Sequence, residues 1–442
     1  MYKSMKLKVL SLAIFISMNT YCQDFDKQKM DRLFTLIEEN DQGMGSLSLF
    51  SEGNEVYQHA LGYASIEDNV KANSQTKYRI GSISKTFTAA IIMQLVEEDK
   101  LTLDTRLSEF YPQVTHASEI TMEQMLRHRS GIFNFTNSED YQSWMEQPII
   151  KEELVKKIVS YGSAFEPGSK YEYSNANYVL LSYIAEQIEE KDFRDIVQER
   201  VCEPCALNNT YYGSKISVEN NEAKSYTNFG EWELATETDM SVPVGAGAMV
   251  SNPTDLNRFL SCLFSDKVVS ESSLAKMTDI QDGYGLGLMQ VPFYDKKALG
   301  HAGGIDGFQS NAFYFPQEKV SIAYTTNGAV MPMNDILIGV LSIYFGKDYT
   351  LPEFKPALTL EPEDLDEFLG VYSSPDFPIK LTITKKGSTL IGQGTGQPEF
   401  RLDAIGPTEF KFDQAGLKIE FFPAEDKLVL NQAGRSFELT KE

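Results

Sequence analysis

The chain has 442 residues, enough for two or three domains and a large core. Its 42% hydrophobic and 23% charged residues are those of a globular protein. A net charge of −23 repels phosphate backbones and anionic lipid, so nucleic-acid binding and peripheral membrane adhesion are not expected.

The N-terminus predicts a targeting device. Lys3, Lys6 and Lys8 lead into an apolar stretch over 9–16 that is too short to span a bilayer comfortably. Thr20-Tyr21-Cys22 before Gln23 resembles a signal-peptidase site, which makes residues 1–22 a signal peptide. Asn19-Thr20-Tyr21 is a poor lipobox, so export with cleavage is expected rather than a lipid anchor at Cys22. No later segment is long and apolar enough to be transmembrane. The expectation is an exported protein, periplasmic or secreted, without stable membrane insertion after signal cleavage.

The main domain is expected over 23–347. Met30, Leu33, Phe34, Leu36 and Ile37 form one buried stripe of a helix over 25–40. Residues 46–50 and 55–60 flank Glu52-Gly53-Asn54, a hairpin signal. From 82 to 262 the period is mostly helical, broken by turns such as Pro167-Gly168. Strands return over 284–291, 298–301, 308–315 and 320–324, and a helix closes the domain over 334–345. Strands from both ends enclosing a helical insertion predict an α+β fold: one antiparallel sheet flanked by helices, with an all-α subdomain beside it. A proline-rich, acidic linker covers 348–363. Residues 364–442 then alternate in short strands over 379–384, 410–412, 417–421, 428–430 and 437–439, with Gly387, Gly406 and Gly416 at turns. They predict a small all-β barrel or sandwich, which has no His, Cys or Trp and is assigned no chemistry.

Cys202 and Cys205 have redox-motif spacing, and export would permit a disulfide. Their surroundings read as a helix end and a loop, so a structural or incidental role is expected. The four histidines, His59, His116, His128 and His301, show no two at helix-face spacing, and no metal or cofactor is expected.

Three Ser-x-x-Lys patterns occur: Ser74/Lys77, Ser82/Lys85 and Ser273/Lys276. Only Ser82 precedes a long apolar helix, over 86–96. One helical turn brings the Lys85 amine to the serine hydroxyl, and burial lowers a lysine's pKa. The bland alternative is an N-cap serine. Two further patterns join it. Tyr173-Ser174-Asn175 follows the Pro167-Gly168 turn, and Gly300-His301-Ala302-Gly303-Gly304 puts small residues at a strand edge where substrate backbone can approach.

In this order the three elements resemble those of the serine β-lactamase and penicillin-binding-protein superfamily, in its class C β-lactamase and DD-carboxypeptidase branch. Tyr78-Arg79-Ile80-Gly81-Ser82, the stretch from Ile120 to Gly131 and Pro204 to Thr210 extend the likeness, which covers about residues 30–345. The C-terminal part resembles the lipocalin-like domains appended to some members. The resemblance implies a serine hydrolase with Ser82 as nucleophile and Lys85 and Tyr173 sharing the proton relay, the immediate base being left open between them. Lys85 is expected to favour the Tyr173 phenolate. Asn175, His301 and Gly303 would bind substrate, and the backbone N–H groups of Ser82 and Gly304 would form the oxyanion hole.

One departure bears on the substrate. The branch usually carries Lys-Thr-Gly where this chain has His301-Ala302-Gly303, and a histidine is charged only part of the time near neutrality. Carboxylate recognition and β-lactam hydrolysis are therefore expected to be weak. Small-molecule or peptide substrates of the D-amino-acid amide or small acyl ester type are expected. The competing reading is a non-catalytic acyl-binding protein of the same fold, and the sequence is silent on oligomeric state. His128 is expected to hold a turn, Tyr171 and Tyr178 to be core or rim aromatics, and Asn177 to cap a helix. Glu166 is not read as a deacylating glutamate.

Overall fold

Glu52 and Gly53 both take positive φ, 49° and 79°, the turn whose twist matches that of paired strands. They join β1 (Gly43–Ser51) to β2 (Asn54–Leu61), so the hairpin read from the sequence is present. The computed structural model describes residues 25–442 apart from 230, 355–357, 359, 398, 413–414 and 433. The expected signal peptide and Cys22 lie outside the described residues. Four later strands complete the sheet: β3 (Met289–Phe293), β4 (Lys296–Ile305), β5 (Phe308–Phe315) and β6 (Val320–Ala329). Their spatial order is β3-β4-β5-β6-β1-β2, antiparallel throughout. The two sequence ends therefore meet at the β6–β1 pair. The strand expected over 284–291 begins only at Met289, because Gly287 takes φ 73° and breaks the extended chain.

Five helices position the site: α1 (Lys27–Glu39), α2 (Ser84–Glu97), α3 (Asn175–Glu189), α4 (Pro253–Leu263) and α5 (Met333–Tyr344). Met30, Leu33, Phe34 and Ile37 of α1 and Ile336 and Val340 of α5 share one core with Leu47, Leu49, Phe313 and Ile322 of the sheet. On α4, Asn257 Nδ2 donates to the Ser48 carbonyl at 2.8 Å, which ties that helix to β1. In α2, 11 of 14 residues are buried, Lys85 among them, so a charge at Lys85 faces full desolvation.

The helical region also holds strands too short to show alternation in sequence. Tyr78–Arg79, Met249–Ser251 and Tyr211–Tyr212 form a three-stranded sheet, and Tyr226–Asn228 pairs with Trp232–Leu234. The two cysteines at redox-motif spacing are not bonded to each other. Cys205 bonds to Cys262 of α4, not to Cys202, which is buried in the helical core as a thiol.

The C-terminal strands are β7 (Gly370–Ser374), β8 (Phe377–Lys386), β9 (Thr389–Gly394), β10 (Glu399–Ala404), β11 (Glu409–Phe412), β12 (Leu417–Phe422), β13 (Lys427–Gln432) and β14 (Arg435–Lys441). They close into a barrel when β14 pairs with β7. Closure removes the exposed strand edges and buries Leu381, Ile383, Phe410, Ile419, Phe421 and Leu428 inside. The fold is thus a mixed α/β domain followed by a closed all-β barrel. Among the described residues no helix is long and apolar enough to cross a membrane.

Candidate active site

Ser82 lies in a single tight turn, Gly81–Ile83, that runs into α2. Its Oγ sits 2.9 Å from Lys85 Nζ. The rival patterns do not form such a pair: Ser273 is buried while Lys276 is exposed, and Ser74 lies in a turn whose Lys77 stacks over Tyr211. The neighbouring Ser84 is structural, donating to the Gly81 carbonyl at 2.7 Å and accepting the Met249 N–H at 3.1 Å.

Lys85 Nζ is also 2.8 Å from Asn175 Oδ1 and 2.8 Å from the Ala246 carbonyl. The side chain is fully buried, and desolvation holds its pKa well below the usual lysine value. A neutral amine has two N–H groups and one lone pair. The two carbonyl oxygens can only accept, so they take both N–H groups and leave the lone pair for the Ser82 hydroxyl proton. Asn175 is itself held in that orientation, with Nδ2 donating to Asn134 Oδ1 and Thr136 Oγ1, each at 3.2 Å. Asn134 and Thr136 were not singled out in the sequence. They lie in a loop with no periodic signal, and only the fold brings them to Asn175.

Tyr173 precedes α3, and its ring centroid lies 4.8 Å from Lys85 Nζ. Burial raises its pKa, and a hydrogen bond to Ser82 opposes that rise without overcoming it. Burial thus acts on both groups in one sense, disfavouring the Tyr173 phenolate and the Lys85 ammonium alike, against the expectation that Lys85 favours the phenolate. His128 grips the chain on both sides of Tyr173. Its carbonyl accepts the Glu172 N–H at 2.9 Å, and its Nδ1 accepts the Ser174 N–H at 3.1 Å. The two rings lie 4.2 Å apart. Burial lowers the His128 pKa well below the ordinary value, which keeps Nδ1 an acceptor. Asn177 is not the cap expected: its Oδ1 accepts from Ser130 Oγ at 2.6 Å in the core. Tyr178 is buried, donating to the Leu126 carbonyl at 2.7 Å, and Tyr171 is half-buried.

Strand β4 runs beside the Ser82 turn. A Cβ on Gly303 would stand 2.1 Å from the Ile80 carbonyl and 2.9 Å from Ser82 N. Gly81 takes φ 48°, and a Cβ there would meet the Gly304 carbonyl at 2.8 Å. Only glycines allow turn and strand to abut like this, leaving the Ser82 and Gly304 backbones side by side at the cavity. His301 differs from expectation. It is buried behind the strand with Nε2 2.9 Å from the Tyr284 hydroxyl, and burial pushes its pKa down to about 3. It is a neutral support, not a partly charged contact for substrate.

Ser82, Asn175 and Gly304 line a cavity of about 480 Å³, with Phe135, Tyr141, Met145 and Phe308 among its apolar walls. Among the described residues its one charged lining residue is Asp306. That carboxylate pairs with the buried Arg79 at 3.0 Å and accepts the Thr238 N–H at 3.0 Å. The other Nη donors of Arg79 go to Glu237, Ser214 and Thr238, its Nε is buried without a partner, and Arg79 does not line the cavity, so among the described residues no cation lines it. Glu166 is exposed, meets His116 at 3.7 Å and does not line the cavity.

The sequence model of the family described as Beta-lactamase matches residues 35–339. Penicillin-binding protein 4* of Bacillus subtilis (strain 168) is 24% identical over 436 residues, covering 90% of this chain and 94% of that protein. The Teichoic acid D-alanine hydrolase of Staphylococcus aureus is 23% identical over 292 residues, covering 64% of this chain and 70% of its own length. Among solved structures, D-amino acid amidase from Ochrobactrum anthropi SV3, complexed with L-phenylalanine amide, superposes with a TM-score of 0.66 at 23% identity. That match covers 72% of this chain and 98% of the amidase.

Proposed function

The chain belongs to the beta-lactamase family, and from that premise we propose that it cleaves amides or esters through an acyl-enzyme on Ser82, with Lys85 as the general base. The carrying observation is the Lys85 amine held between two carbonyl acceptors, 2.9 Å from Ser82 Oγ. Ser82 gives its proton to that amine as Oγ attacks the substrate carbonyl carbon. The backbone N–H groups of Ser82 and Gly304 hold the oxyanion, each such donor being worth ~3–4 kcal/mol. Tyr173, hydrogen-bonded to Ser82, relays the proton to the leaving amine or alcohol as the carbonyl–heteroatom bond breaks. Water then attacks the ester on Ser82 by the same route in reverse roles, releasing the acid and restoring the hydroxyl.

The cavity also bears on the substrate. Its apolar walls suit an uncharged acyl side chain. With His301 buried and its pKa lowered, and Arg79 buried and paired with Asp306, no cation among the described residues lines the cavity to meet a carboxylate next to the scissile bond. D-amino-acid amides and esters without that carboxylate are the proposed substrates; D-Ala-D-Ala peptides and β-lactams are poor ones. The lysine-led apolar stretch at the N-terminus supports an exported enzyme, periplasmic or secreted.

The test is a substrate panel on wild type and Ser82→Ala. A D-alanine nitroanilide and a D-alanine nitrophenyl ester are turned over by wild type alone, at least tenfold faster than a D-Ala-D-Ala peptide or a chromogenic cephalosporin. Equal rates in both proteins, or no turnover of any compound, would end the proposal.

A further inference from the structure

A second cavity adjoins the active-site cavity beyond the end of β4. Asp306 and Gln309 line both, and the second has a volume of about 650 Å³. The far side of that second cavity is barrel: Phe400 and Arg401 of β10 and Phe412 of β11. Phe400 and Phe412 stack with ring centroids 4.8 Å apart, an aromatic surface of the kind that holds a chain by its flat faces. The barrel wall is fastened to the catalytic domain. Arg401 Nη1 donates to Asn228 Oδ1 at 2.7 Å, and the Lys386 ammonium sits 4.2 Å from the Phe229 ring centroid. The lining of the second cavity carries five carboxylates against two cations, Arg401 and Lys411.

We infer that this second cavity is a substrate subsite, taking the part of a linear acyl donor that continues beyond the scissile bond, and that it accepts neutral or amine-bearing chains in preference to anionic ones. The inference rests on the proposed hydrolase site, and it adds a length and a charge to its substrate. Three of the five carboxylates are paired, Asp306 with Arg79, Glu399 with Lys386 and Asp403 with Arg401, so the lining offers an anion no free cationic partner at those pairs, and the chain's net charge of −23 opposes a polyanion. The barrel thereby acquires a role in choosing substrate.

Binding and turnover separate this from the catalytic proposal. Calorimetry on Ser82→Ala compares a D-alanine amide with the same amide extended by four glycines, by a Lys-bearing chain and by a Glu-bearing chain, each joined on either side of the scissile bond. The neutral and Lys-bearing chains are expected to bind at least tenfold tighter than the unextended amide from one side, and the Glu-bearing chain to gain nothing. Adding Phe400→Ala removes the gain, as does Arg401→Gln in a milder form, while the short nitrophenyl ester is cleaved at the wild-type rate by either substitution alone. No gain with length, a gain that survives both substitutions, or a gain for the Glu-bearing chain overturns the subsite. Loss of short-ester turnover in wild type overturns the catalytic proposal and leaves the binding result to decide this one.

Discussion

Replacing Lys85 by methionine tests whether the buried amine is neutral. Methionine keeps the length and cannot titrate. An unfolded lysine has a pKa near ~10.4, whereas the folded Lys85 lies well below that because burial disfavours the ammonium. Between those two values the unfolded chain binds one more proton than the folded chain. Stability must then rise with pH, by about 1.4 kcal/mol for each pH unit in that window. Urea unfolding at pH 8.5 and 9.5 reads the slope, and the difference between wild type and Lys85→Met cancels every other titrating group. The expected result is that wild type gains about 1.4 kcal/mol more than the variant across that step. Loss of a general base also removes about 10²- to 10⁴-fold from kcat/KM. Part of any stability gained by removing a buried amine is offset, because the Ala246 carbonyl and Asn175 Oδ1 lose their donor at ~1–3 kcal/mol each. Equal pH slopes in the two proteins would show that folded Lys85 keeps its proton and is not poised to act as the base.

His128→Phe leaves the Ser174 N–H without its acceptor, which costs ~1–3 kcal/mol by chemical denaturation. It should lower kcat about tenfold with little change in KM, and His128→Asn, which offers a carbonyl, should recover part of the loss. Gly303→Ala forces a Cβ to 2.1 Å from the Ile80 carbonyl, so thermal melting should fall sharply. Gly304→Ala meets nothing closer than 3.9 Å and should melt like wild type. Reducing Cys205–Cys262 releases a loop set by a sequence separation of 57 residues, worth ~4 kcal/mol on a chain-entropy basis. Urea midpoints with and without reductant check it. Buried Cys202, its thiol pushed up to about 12, should react with iodoacetamide only after unfolding.

Features with a local cause were legible in the sequence. The Glu52-Gly53 turn, the stripe of α1, the burial of α2 and the Ser82/Lys85 pair each follow from residues a few positions apart, and each is present. The all-β character of the C-terminus was legible too. Strands β7, β9 and β10 were missed because glycines and charged residues interrupt their alternation. What depends on distant chain segments was not legible. Cys262 is remote in sequence from Cys205, and nothing local distinguishes it from Cys202 as the partner. The charge of His301 could not be read from its motif, because the burial that lowers its pKa comes from the folded chain. The same holds for Asn134, Thr136 and the grip of His128 on Tyr173.

Every step of the proposed reaction needs the Ser82 hydroxyl as the nucleophile. Wild type and Ser82→Ala treated with a fluorophosphonate, followed by intact-mass measurement and peptide mapping, address it directly. A single adduct on the peptide containing Ser82, forming faster as pH rises through the Lys85 titration and absent from Ser82→Ala, is the predicted result. An adduct at another serine, or one that persists in Ser82→Ala, would contradict it.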